Sequence, residues 1–298
     1  MKGLLSLMFS FLLIISYGQD APYREFIEIN DLSYYSGTDA SLYHKLNLVM
    51  PKGKDNFPLL LWIGGGAWSY VDRNIEMDVA RKFAREGIAV ATVGHRLSPA
   101  VWKDSSLTTG IKHPEHIKDI ARAFKWLNDN ASKYGYSQTN IFVGGFSSGA
   151  HLTALLAMDD EYLKNVGCSI DQIRGIIPIA GTYDIPHYYK VLSEGNPALA
   201  NDHVKGVFGN TNEEFLDASP TSYIKGLKVP MLLISDKSTY KYTTFFEDKV
   251  RESGFKNFEV IHVQELGHGP LWKNLSFEEQ SKYRDRIVEF IKNLTSHN

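Results

Sequence analysis

Residues Ile141 to Met158 read IFVGGF-SSGAHLTALLAM. The first six are apolar and short, the pattern of a strand buried on both faces, and the last eleven carry the apolar content of a helix. Between them, Gly145-Phe146-Ser147-Ser148-Gly149 fits G-x-S-x-G in the strand-turn-helix setting that a nucleophile elbow requires. Glycines flank the serine because the turn is sharp and its neighbours must come close. The helix opening at Ser148 aims its unpaired N–H groups at the site, where they favour an anion. Ser147 is therefore read as the nucleophile. Ser148 is a rival by residue type, but its backbone N–H is the group that the chemistry needs.

Outward from this stretch the chain alternates strand and helix. Strands are expected at Leu46–Met50, Leu59–Ile63, Ile88–Val93, Ile173–Ile179, Met231–Ser235 and Phe258–Val263. Helices are expected at Asp78–Glu86, Pro114–Asn128, Thr243–Glu252 and, with Ser276 and Glu279 as a capping box, Ser276–Leu294. Such alternation predicts an α/β class with a mostly parallel sheet covered by helices on both faces. The period breaks over residues 183–223, which are rich in aromatics, His, Asn and Gly and read as a cap-like insertion over the site. Their aromatics, Tyr183, Tyr188, Tyr189, Phe208 and Phe215, suit either a wall of the site or a satellite core. No linker or repeat interrupts the pattern, so residues 19–298 are expected to form one domain.

The start of the chain differs. Lys2 is followed by the apolar run Gly3–Tyr17, too short for a comfortable membrane span, with small residues at Ser16 and Gly18 before polar Gln19-Asp20. Residues 1–18 read as a signal peptide cleaved near Gly18. A secreted or periplasmic protein without a stable membrane anchor is expected.

Composition removes other classes. A net charge of −2 lacks the footprint of a nucleic-acid binder, and 43% hydrophobic residues are too many for a disordered chain. The lone Cys168 permits neither an internal disulfide nor a cysteine metal site. No cofactor and no metal are expected.

A second constellation, Trp62-Ile63-Gly64-Gly65-Gly66-Ala67-Trp68, follows a buried strand. Consecutive glycines let amides face a developing oxyanion. Here the chain resembles α/β-hydrolase esterases related to hormone-sensitive lipase, kynurenine formamidase and the feruloyl/acetyl-xylan esterases. Ile63–Trp68 is similar to their I-H-G-G-A-W, with Gly64 in place of the histidine. Gly94-His95-Arg96-Leu97-Ser98-Pro99 and Gly145–Leu152 resemble further motifs of the group, and the likeness spans about residues 43 to 295. It implies an α/β-hydrolase fold, with oxyanion donors at Gly66, Ala67 and Ser148.

A serine hydroxyl needs a positioned imidazole to take its proton, and the order for this fold is Ser, acid, His. His268, in the Gly-rich Glu265–Pro270 loop after the last strand, is read as the base. His262 lies inside that strand and reads as structural, as His95 and His151 do by packing. His187 and His203 are expected to line or cover the pocket. The family spacing from Pro230 puts the acid at Thr239, which has no charge, so a shortened loop assigns the role to Asp236, directly after MLLIS. Glu247 and Asp248 read as a solvated helix face. The resemblance implies a serine carboxylesterase acting on small acyl esters, with acetyl or feruloyl groups on carbohydrate as candidates. An arylformamidase-like amide hydrolase and a non-catalytic binding protein on the same scaffold are the alternatives. The expected partner is a small-molecule or carbohydrate ester, with no nucleic acid.

Overall fold

A computed structural model of the chain describes residues 25–53 and 55–296; the expected leader, residues 1–18, lies outside them. Its strands are β1 (Phe26–Ser33), β2 (Lys45–Pro51), β3 (Phe57–Ile63), β4 (Ala89–Val93), β5 (Tyr136–Phe146), β6 (Ile173–Ile179), β7 (Met231–Ser235) and β8 (Phe258–His262). They form a single sheet in the order β1-β2-β4-β3-β5-β6-β7-β8. β2 runs antiparallel to both β1 and β4, and every other pairing is parallel. This is the α/β-hydrolase fold. The central strands are apolar without alternation because both faces are covered: Leu59, Leu60, Leu61, Trp62 and Ile63 are all fully buried.

The helices divide between the two faces. α2 (Glu115–Tyr134), α3 (Ser148–Met158) and α9 (Tyr240–Glu252) bury Ile117, Phe124, Leu155 and Phe246 in one core. α1 (Met77–Arg85), α10 (His268–Ser276) and α11 (Lys282–Ser296) bury Val79, Phe83, Leu271 and Ile287 in the other. All eleven residues of α3 are buried, which is why its sequence shows no polar face, its Ser148, His151 and Thr153 being buried too. The short α4 (Asp160–Asn165) follows it.

Residues 183–223 fold into α5 (Ile185–Gly195), α6 (Pro197–Leu199), α7 (Gly206–Phe208) and α8 (Asn212–Asp217), with one π-helical and one 3₁₀ segment. Most of its aromatics join the core. Tyr183 stacks on Phe246 at 4.3 Å, Phe208 stands edge-on to Trp68 at 4.8 Å, and Phe215 is buried against Tyr189.

The structure departs from the sequence reading at several elements. β1 has no counterpart in the sequence reading, because an edge strand with one covered face carries only weak alternation. The last helix does not open at Ser276, which instead closes α10. Ser281 caps α11 by accepting from the Arg284 amide, and Glu279 is drawn off to Lys82. Glu247 is not on a solvated face: it is mostly buried and pairs with His262 and Arg251.

Candidate active site

The candidate residues converge at the carboxyl ends of the parallel strands, where an open α/β sheet forms its crevice. Ser147 follows β5 directly and has φ +56°, ψ −117°, a strained conformation for a residue with a side chain. Packing enforces that turn. A Cβ on Gly149 would fall 2.0 Å from the Ile63 carbonyl oxygen, and one on Gly145 would meet the Gly149 backbone at 2.6 Å. The Ser147 amide donates to the Ile179 carbonyl at 2.8 Å, pinning the elbow to the end of β6.

His268 is the first residue of α10, and its Nε2 lies 2.9 Å from Ser147 Oγ. Its Nδ1 lies 2.6 Å from Oδ2 of Asp236, which is fully buried one residue past β7. The ring is braced by Phe146, centroid to centroid 4.7 Å. The Lys237 amide donates to the Leu266 carbonyl at 3.0 Å and so ties the loop carrying Asp236 to the loop carrying His268.

Thr239, at the position where the family spacing would place the acid, hydrogen-bonds Asp236 instead. Its amide donates to Asp236 Oδ1 at 2.7 Å and its hydroxyl to the same oxygen at 3.1 Å. Burial pushes the Asp236 carboxyl up, but the hydrogen bond and charge of His268 and the two Thr239 bonds outweigh it. The group is held below the ordinary carboxylate range.

The loop after β3 turns through left-handed backbone at Ala67 and Trp68, at φ +49° and +57°. Trp68 clamps it: its indole N–H donates to His151 Nδ1 at 3.3 Å, and its ring is enclosed by His151, His203 and Phe208. Ala67 and Ser148 line a cavity of about 300 Å³ together with Ser147 and His268, walled by Tyr188, Leu192 and Tyr242. Gly66 lines a second cavity, of about 210 Å³, which Ser147 and His268 line as well. The amides of Gly66, Ala67 and Ser148, the expected oxyanion donors, donate to no other group among the described residues.

The remaining histidines have other places. His151 is fully buried, with Nε2 donating to the Ala218 carbonyl at 2.7 Å. His95 is fully buried, with its Nδ1 2.7 Å from the Arg96 carbonyl. His262 bridges Ser235 and Glu247, each at 2.8 Å. His187 and His203 do not line the 300 Å³ cavity: His187 stacks on Phe245 at 4.3 Å, and His203 packs behind Trp68. Of the aromatics of the insertion, Tyr188 lines the cavity. No group of His, Cys, Asp and Glu able to hold a metal occurs among the described residues, and no helix among them is long and apolar enough to cross a membrane.

Residues 46–239 match the model of the BD-FAE family. The chain belongs to that family. It is 27% identical over 226 residues to Esterase LipC of Mycobacterium tuberculosis, a stretch covering 71% of this chain and 53% of that protein. Over 118 residues it is 31% identical to the carboxylesterase NlhH of the same species, covering 39% of this chain and 33% of that one. The chain spans about half the length of the first curated relatives it matches. Among solved structures it resembles a truncated form of a carbohydrate esterase from gut microbiota, with TM-score 0.73 and 18% identity over 93% of this chain and 98% of that one. Esterase B from Lactobacillus rhamnosis aligns with the same TM-score and identity, over 93% of this chain and 87% of its own. These likenesses establish the fold of this BD-FAE family member.

Sequence reasoning missed Glu76, which lines the smaller cavity beside Ser147 and His268. It stands in a polar stretch, Asp72–Asp78, that reads as surface, and no spacing signal marks it.

Proposed function

We propose that this chain hydrolyses carboxylic esters of small acyl groups through an acyl-enzyme. The observation that carries the reading is the unbroken chain from Ser147 Oγ through His268 to Asp236, at 2.9 and 2.6 Å, at the edge of a 300 Å³ cavity. Relatives named as esterases and as a probable carboxylic ester hydrolase support the same reaction class.

In this reading Ser147 Oγ attacks the ester carbonyl while its proton passes to His268 Nε2. The carbonyl oxygen becomes an oxyanion facing the amides of Ala67 and Ser148, with Gly66 beside them, and those donors strengthen as its charge grows. Asp236 holds the tautomer of His268 that accepts at Nε2 and stabilises the imidazolium. Collapse of the tetrahedral intermediate breaks the bond to the leaving oxygen, which takes the proton from His268. Water then attacks the acyl-enzyme with His268 as base, releasing the acid and restoring Ser147.

The cavity is at the small end of the range for ligand pockets and is walled mainly by aromatic and aliphatic side chains, which suits a compact acyl group. An exported enzyme would meet such groups as acetyl or feruloyl decorations on carbohydrate, and the structural likeness to a carbohydrate esterase supports that substrate class. The test is hydrolysis of p-nitrophenyl acetate, butyrate and decanoate by the wild type and by His268→Ala. Turnover of the two short esters, lost in the variant, is the expected result. Wild-type rates no faster than those of His268→Ala would overturn the proposal.

A further inference from the structure

Glu76 immediately precedes α1 and is 2% exposed, with no Lys or Arg partner among the described residues. Its carboxylate is held by two indoles. Trp62 Nε1 donates to Oε2 at 2.8 Å, and Trp272 Nε1 is shared between both oxygens at 3.3 Å. Burial pushes this carboxyl up, and the two indole bonds draw it part of the way back.

The two donors come from the two sides of the site. Trp62 is the penultimate residue of β3, two positions before Gly64 opens the oxyanion loop. Trp272 lies four residues after His268 on α10, and so on the same side of that helix. A single carboxylate thus joins the strand that launches the oxyanion loop to the helix that carries the base. It also fills the space against the loop's first residue. A Cβ built on Gly64 would fall 2.9 Å from both Cγ and Oε1 of Glu76, so the absence of a side chain at position 64 is what admits the carboxylate. Beyond Glu76 the smaller cavity opens onto Ser147 and His268. Packing alone gives no reason for an acid here, since an apolar residue of the same shape avoids the cost of burying a charge. The carboxylate adds direction: both indoles, and the elements they belong to, are fixed relative to one point.

We propose that Glu76 is a positioning residue for ester hydrolysis, holding the oxyanion loop and the His268 helix in register through Trp62 and Trp272. The proposal rests on the hydrolase reading above. It is tested by Glu76→Ala, Glu76→Gln, Trp272→Phe and the Glu76→Ala/Trp272→Phe double variant. For each, kcat and KM are measured with p-nitrophenyl butyrate and corrected for the fraction of sites that a fluorophosphonate labels. Displacement of a catalytic element by a fraction of an ångström should lower kcat per labelled site by about ten- to a hundredfold in Glu76→Ala, with KM little changed. Glu76→Gln keeps one carbonyl oxygen for an indole and should recover part of the loss. The losses of Glu76→Ala and Trp272→Phe should overlap in the double variant rather than multiply. An unchanged kcat per labelled site, or a loss that disappears on correction for labelled sites, overturns the proposal.

Should Glu76→Ala fail to fold, Glu76→Gln decides by the same readout. A wild type that neither labels nor turns over would refute the hydrolase reading instead. The indole N–H resonances of ¹⁵N-tryptophan protein then decide whether Glu76 joins the two elements: those of Trp62 and Trp272 should both move in Glu76→Gln, and resonances that stay in place overturn that link.

Discussion

Replacing Asp236 by Asn changes one atom and tests the logic of the site. Both Thr239 donors point at Oδ1, at 2.7 and 3.1 Å, so the Asn side chain must set its carbonyl oxygen there. Its NH₂ then takes the place of Oδ2, 2.6 Å from His268 Nδ1, and donates where Asp accepted. Nδ1 must now accept, which puts the imidazole proton on Nε2, facing Ser147 Oγ at 2.9 Å. In that tautomer His268 cannot take the serine proton. The loss of kcat should be about 10⁴-fold, the size known for such tautomer inversion, or about 5 kcal/mol of transition-state stabilisation. The assay is steady-state hydrolysis of p-nitrophenyl acetate at saturation, with near-UV circular dichroism to confirm that the fold is kept. A folded Asp236→Asn protein with kcat within about tenfold of wild type would refute the reasoning.

Other outcomes follow from packing and charge. Gly149→Ala drives a methyl group into the Ile63 carbonyl, 2.0 Å away, and should cost at least about 2 kcal/mol in urea unfolding; a loss under half that would contradict the account of the elbow. Leu192→Trp narrows the 300 Å³ cavity and should shift kcat/KM from butyrate toward acetate by about tenfold; an unchanged preference removes Leu192 from the acyl wall. Burial, the largest cause in each case, lowers His151 to about 3 and His203 to about 4, and lowers His95 and His116 as well. The unfolded chain takes up protons near pH 6.5 that these folded imidazoles refuse, so their contribution is complete above about pH 6.5 and is lost as pH falls toward 4. The urea midpoint should therefore drop between pH 7.5 and pH 5, and a flat profile would show that these groups do not stay neutral in the fold.

The elbow was legible because three local signals agree at one place: the apolar run of β5, the glycines around Ser147, and a mostly apolar α3. β6 and β7 lie where the sequence puts them, since strands buried on both faces carry short, mostly apolar runs, broken in β6 only by the half-buried Arg174. β1 was not legible because an exposed edge strand has no such signature. The capping pattern of Ser276 and Glu279 was a coincidence of residue types, overridden when Ser281 took the cap and Lys82 took Glu279. His268 could be found from its glycines, but not the helix it begins, because Gly269 and Pro270 read as loop although proline is tolerated in a first helical turn. Asp236 was reached by its place after a strand. What the sequence could not show is that Thr239 braces it, or that Glu76 fills the space left by Gly64, since both depend on contacts between distant segments.

The central claim is that Ser147 is an activated nucleophile. It is tested most directly by reacting the folded chain with a fluorophosphonate and locating the adduct by peptide mass spectrometry, with Ser147→Ala beside it. A single adduct on Ser147, formed within minutes and absent from the variant, is the predicted result. A folded wild-type protein that forms no adduct, or an adduct elsewhere that persists in Ser147→Ala, would contradict it.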